Sequence, residues 1–290
     1  MHMSHGPIGL LYRERLSDAD LAVLSEAAGE PGTARERLTR LRSDPGRIAA
    51  LLEVPGTYDT LFGARADPGL LVASPHLAFS VLMARVSREL AEVPFVREWV
   101  APRRSVPVFD VMALRAFAED RMRRLFLADV LSSYTHVASG PVWVRTGRRW
   151  TRRRFSELDP LHLIRLIEAT PESERPALYR RLGDLSLFLA GVFPDHAAGP
   201  LFGGKLGRIE RAMGGDGSLE HVGGPIELLE WLGRRSYLMV TREARPARAG
   251  MAMVLEDVAE GFSQARRILN FLTERHLFPV RDAWFGNGSA

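Results

Sequence analysis

At Ser74-Pro75, Asp159-Pro160 and Thr170-Pro171 a side chain able to cap a helix stands directly before a proline, with no glycine following as in Asp44-Pro45-Gly46 and Asp67-Pro68-Gly69. A capping oxygen accepts from the first unpaired amides of a helix, and proline at the first helical position gives up no hydrogen bond. Each pair therefore marks a helix start, and helical periodicity follows each one. After Ser74, the residues Leu77, Val81, Ala84 and Ala91 fall near one side, and Phe79, Leu82, Val86 and Leu90 near the other. Apolar residues on two sides predict a buried helix, ending before Pro94. Asp159 opens a helix to about Ala169. Thr170-Pro171 opens another ending near Phe193, with Pro176 as an alternative start and an apolar stripe of Leu178, Leu182, Leu185, Leu189 and Val192.

Further helices are expected from Ser17 to about Ala28, Thr33 to Arg42, Arg47 to Glu53, Leu206 to Met213, Ile226 to Ala244 and Met251 to Leu277. Asp110 to Ala138 reads as one long helix or two abutting ones. There Met122, Phe126, Val130 and Tyr134 form an i, i+4 stripe, and Arg121, Arg123 and Arg124 supply the polar side. Pro102 to Pro107 reads as a basic loop. Met1 to Gly6 are set aside from the fold reading.

The one clear β signal is Val142 to Phe155, two runs of aromatic and β-branched residues flanking Gly147. The expected fold is mainly α, a multi-helix bundle of roughly nine to eleven helices with one short basic β-hairpin at about 142–155. Residues 1–66 read as an N-terminal helical subdomain and 67–290 as the main domain carrying the hairpin; a single domain is an equal alternative.

Forty-six per cent of the residues are hydrophobic, enough for a sizeable core. There is no cysteine, hence no disulfide framework, thiolate metal site or catalytic thiol. The apolar run Ile8 to Leu11 is too short for a signal-peptide core and soon meets Arg13 and Arg15. Leu70 to Met83 and Leu185 to Phe193 fall short of the roughly 20 residues of a membrane helix. On that basis the expectation is a cytoplasmic protein without a membrane span.

Of the 39 basic residues all but Lys205 are arginine. Codon bias in a GC-rich genome accounts for that preference, so arginine richness alone is no nucleic-acid signal. The distribution says more. Residues 97–155 hold thirteen basic and five acidic groups, a net +8, which leaves the rest of the chain at −4. Val142 to Arg154 carries six arginines and no carboxylate.

Strand geometry sorts this segment into two faces. With a two-residue turn near Gly147, Trp143 and Arg145 share a face with Arg148, Trp150, Arg152 and Arg154. Val142, Val144, Arg149, Thr151, Arg153 and Phe155 take the other, and a three-residue loop would exchange one strand's faces. Arginine grips phosphate as a fork and stacks on bases, as indole does. The expected function is polyanion binding, most of all nucleic acid, by this hairpin with help from Arg103, Arg104, Arg121 and Arg124. The bland alternative makes Trp143 and Trp150 core anchors with arginines stacked on them. A protein partner using the same hairpin is another reading, since Trp and Arg are enriched in interface hot spots. A helical enzyme with a small-molecule or haem pocket is a third.

Catalytic and cofactor motifs do not assemble. Gly199 to Lys205 fits the glycine and lysine spacing of a P-loop, but Leu206 stands where a hydroxyl must reach magnesium, and a helix rather than a strand precedes it. Asp159 and His162 are spaced i, i+3, yet Asp159 is better used as a cap. His76 reads as a structural histidine, and Asp195-His196 and Glu220-His221 lack metal-binding spacing. His136 is the histidine whose protonation would add to the basic region. Ser263 sits in a helical pattern without the strand that exposes a nucleophile. The residues therefore name no cofactor, no metal and no catalytic group.

Overall fold

The structure is a computed structural model that describes residues 5–63, 73–101, 104–135, 139–146, 149–156, 158–194, 213, 224–242 and 249–277. It is mainly α, with thirteen α-helices and two two-stranded antiparallel ribbons among the described residues. The expected helix around Leu206 to Met213, the P-loop-like segment with Lys205, and His136, His196 and His221 lie outside the described residues, Met213 apart. None of the described helices is long and apolar enough to cross a membrane.

The chain forms two compact units, residues 1–94 with 111–133, and residues 95–110 with 134–290. The first contains α1 (His5–Arg15), α2 (Asp18–Ala27), α3 (Ala34–Ser43), α4 (Gly46–Leu52), α5 (Pro55–Phe62), α6 (Pro75–Glu92), α7 (Val111–Glu119) and α8 (Arg121–Ser133). Side-chain caps start four of these eight helices. The Ser17 hydroxyl accepts from the Asp20 amide while the Asp20 carboxylate accepts from the Ser17 amide, and Thr33 and Glu36 repeat the device. Ser74 Oγ accepts from the Leu77 amide, as the serine–proline pair predicts. Asp120 Oδ1 accepts from the amides of Met122 (2.7 Å) and Arg123 (3.0 Å), which starts α8 afresh, so the two abutting helices of the sequence reading are α7 and α8, the second ending at Ser133. As expected, α6 is buried on both sides: Leu77 and Val81, like Phe79, Val86 and Leu90, are fully shielded. The helix α1 was not anticipated. It buries Ile8 and Tyr12, and Gly9 lies so close to α4 that a Cβ there would sit 2.1 Å from the Pro45 carbonyl oxygen.

The second unit contains β1 (Val96–Ala101), β2 (Arg104–Val108), β3 (Ser139–Thr146), β4 (Arg149–Ser156), α9 (Pro160–Ala169), α10 (Arg175–Val192), α11 (Pro225–Arg242), α12 (Ala249–Glu260) and α13 (Phe262–Leu272), with a wide turn at Thr273–Leu277. Asp159 Oδ1 caps α9 by accepting from the Leu161 amide. Thr170 does not cap α10. Its hydroxyl donates back to the Leu166 carbonyl, residues 172–174 form a tight turn, and α10 starts at Arg175 with Pro176 in its first turn. A helix running on from Pro171 would drive the Pro176 ring into a preceding carbonyl. Met251 to Leu277 is likewise broken, at Gly261, whose backbone (φ −92°, ψ 30°) leaves the helical region.

One ribbon was missed. Pro102 to Pro107, expected as a loop, lies largely in β2, paired with β1 in the register Val96↔Val108, Arg97↔Pro107, Glu98↔Val106 and Trp99↔Ser105. In a two-stranded ribbon every strand is an edge, so a proline's missing donor is tolerated at position 107.

The core of this unit is built by large side chains laid over glycines. A Cβ on Gly183 of α10 would meet the Tyr237 ring of α11 at 2.4 Å. One on Gly233 of α11 would meet the Phe262 ring of α13 at 2.3 Å, and one on Gly191 of α10 would meet Leu269 of α13 at 2.7 Å. All three covering side chains are fully buried. Gly56 in α5 faces open space within 4 Å. Gly233→Ala is therefore expected to destabilise by about 1–3 kcal/mol through overpacking, despite alanine's better helix propensity. Gly56→Ala is expected to be neutral or stabilising. Urea denaturation of the two variants checks the contrast.

Candidate nucleic-acid interface

The hairpin expected at 142–155 is present as β3 and β4, each of eight residues, and pairing extends to Ser139↔Ser156. At about 3.4 Å per residue the ribbon is about 27 Å long. The last pair is Thr146↔Arg149, so two residues separate the paired strands in the chain. This register pairs Trp143 with Arg152, Arg145 with Trp150, and Pro141 with Arg154. Directly paired residues share a face, so these positions lie together. Val142↔Arg153, Val144↔Thr151 and Thr146↔Arg149 define the opposite face. Arg148 lies outside the described residues, as does Arg103. Arg104 is exposed at the start of β2.

Arg121 and Arg124 are placed differently. Both belong to the first unit, where they grip Glu53. Arg121 donates to it through Nε (2.9 Å) and Nη2 (2.6 Å). Arg124 also bonds Glu53, and its Nη1 donates to the Ala118 carbonyl at 2.7 Å. Only 7% of Arg124 is exposed. Bonding to Glu53 holds the Arg121 guanidinium above its ordinary pKa. Nearby, burial pushes the Tyr12 phenol up to about 12.

Two polar clusters in the second unit were not legible in the sequence. Arg266 of α13, with 4% of its side chain exposed, bonds Glu98 of β1 and Glu230 of α11. Its Nη1 donates to Asn270 Oδ1 at 3.2 Å, and Asn270 Nδ2 donates to the carbonyls of Ala190 (3.1 Å) and Gly191 (2.6 Å) on α10. Arg267 Nη2 reaches Glu98 at 2.8 Å. Burial pushes the Glu98 carboxyl up, but bonding and attraction to Arg266 and Arg267 outweigh it and hold the pKa below the usual value. In the other cluster, Asp184 accepts from Arg180 Nε (2.8 Å) and from the Tyr237 hydroxyl (2.9 Å). There burial prevails and raises the Asp184 pKa. The i, i+4 spacings of 180/184 and 266/270 are visible in the chain, but the partners Tyr237 and Glu98 are not.

Among the described residues no group of three or more His, Asp or Glu side chains is arranged to hold a metal ion. His76 belongs to α6, with Nδ1 3.4 Å from Asp129 Oδ1 and Nε2 buried without a hydrogen-bond partner. Burial lowers its pKa, opposed by Asp129 and Asp20 and assisted by Arg15. Searches against protein-family models, curated proteins and solved structures find no match to this chain.

Removing Arg266 strands Glu230 and weakens the hold on Glu98. Arg266→Ala is expected to cost about 3 kcal/mol. Arg42→Ala, at an exposed pair with Asp18 (56% and 60% exposed), is expected to cost under about 1 kcal/mol. Chemical denaturation of both variants checks this. For His76 the folded pKa lies below the unfolded one, so the unfolded chain binds the proton first as pH falls. Stability is then lost below the unfolded value of about 6.5. His76→Gln is expected to flatten that part of the stability-against-pH curve, read by thermal melts between neutral and mildly acidic pH.

Proposed function

We propose that the chain binds nucleic acid through the β3–β4 ribbon. The observation that carries this reading is the register of an acid-free, arginine-rich hairpin about 27 Å long, which distributes guanidinium-bearing positions over both faces. A nucleic-acid backbone is a row of phosphates, and arginine is the side chain whose paired donors match phosphate oxygens. Such contacts position a protein without reading sequence, and no base preference is part of the proposal. The ribbon acts without Arg121 and Arg124, which are committed to Glu53 in the other unit. The contrast with β1–β2 supports this: that ribbon carries Glu98, and its carboxylate is held by two arginines of α13.

The test replaces Arg148, Arg149, Arg152 and Arg153 by serine and follows binding of labelled oligonucleotides by fluorescence anisotropy at several salt concentrations. Binding is expected to weaken, and the slope of log affinity against log salt to fall by about 0.7–0.9 for each phosphate that is no longer neutralised. Unchanged affinity and slope would overturn the proposal. A stable complex with another protein, insensitive to nuclease and abolished by the same substitutions, would assign the ribbon to a protein partner instead.

A further inference from the structure

The register also bears on the kind of nucleic acid, an inference that rests on the reading above. Trp143 stands opposite Arg152 and Arg145 opposite Trp150, so four neighbouring positions on one face alternate indole and guanidinium. The two tryptophan positions are diagonal to one another, about 7–8 Å apart. They stand on the body of the ribbon. Its end, Thr146 to Arg149, holds no apolar residue.

Two ways of using such a ribbon on a duplex meet this arrangement badly. Proteins that pry open a base step insert an apolar wedge, and the end of this ribbon has none to insert. Proteins that read a major groove present amide, guanidinium or carboxylate groups to base edges, whereas indole offers one N–H donor and a broad π-face. In a duplex the faces of the bases are covered by their neighbours. An unpaired base leaves its face open, and stacking on an aromatic ring beside a cationic groove is how single strands are held without regard to sequence. Trp143 and Trp150 supply two such platforms, and Arg145, Arg152 and Arg154 supply cations for the intervening backbone.

We infer that the ligand of this face is single-stranded nucleic acid, held by base stacking at positions 143 and 150 and by arginine contacts to the backbone. The full chain is titrated with a labelled single-stranded DNA, the RNA of the same sequence, and the DNA annealed to its complement. Single strands are expected to bind about tenfold or more tightly than duplex at moderate salt, since each stacked base adds on the order of tenfold. Trp143→Ala and Trp150→Ala are each expected to cost about tenfold on single strands and little on duplex. Trp143→Phe and Trp150→Phe, which keep a ring, are expected to retain most of the affinity. A DNA strand bound as well as the RNA supports stacking as the shared chemistry, and a marked preference for the RNA moves the assignment to contacts with its 2′-hydroxyls. Equal or tighter binding of duplex, or alanine variants indistinguishable from the parent chain, overturns the single-strand inference while leaving polyanion binding in place. Phe variants as impaired as the Ala variants overturn it as well, because a retained aromatic face then fails to restore binding. No binding of any of the three at low salt overturns both readings.

Discussion

The second unit depends on one buried guanidinium. Arg266 takes Glu98 from β1 and Glu230 from α11. Through Asn270 it reaches the carbonyls at the end of α10. A charge this shielded is tolerable only where acceptors surround it, because an unpaired buried ion costs several kcal/mol. The arrangement therefore requires all of these elements to be in place together. The aromatic and aliphatic side chains laid over Gly183, Gly233 and Gly191 act in the same direction. Each demands close approach of two helices, and close approach brings Arg266, Asn270 and the end of α10 within bonding distance.

The first unit uses the same chemistry with the sign reversed at its centre. There a carboxylate, Glu53 at the end of α4, is shared by Arg121 and Arg124 of α8. Asp129 of α8 is shared by Arg15 of α1 and His76 of α6. Some arginines of the net basic stretch are thus structural. Arg121 and Arg124 meet the distant carboxylate of Glu53, and Arg115 donates to the carbonyls of Leu90, Ala91 and Val93. The β3–β4 ribbon has no carboxylate within it, and its arginines are where the excess of positive charge in the sequence is concentrated.

Much of the secondary structure was legible in the chain because its causes are local. The capping residues Ser17, Thr33, Ser74 and Asp159 act within three residues of themselves, and all four work as their type and spacing predict. The β3–β4 hairpin was readable from aromatic and β-branched alternation about Gly147, and the observed register gives the face assignment of a two-residue turn. Where local signals competed, the reading failed. Pro102 and Pro107 suggested a loop because proline is poor in strands, but a two-stranded ribbon has edges to spare for it. Gly261 interrupts a helical pattern that side-chain periodicity alone would run through.

The sequence by itself determined the helical class, most helix starts, the acid-free hairpin and the uneven distribution of charge, since these follow from neighbours in the chain. Only the tertiary structure decided which carboxylates Arg124 and Arg266 meet. Arg124 and Arg153 have the same side chain in the same basic stretch. Arg124 is buried against Glu53, 71 residues away, and the backbone register sets Arg153 opposite Val142. Pairing between distant charges depends on how the helices pack. Packing is set by interlocking shapes such as Phe262 over Gly233, which no local pattern in the chain records.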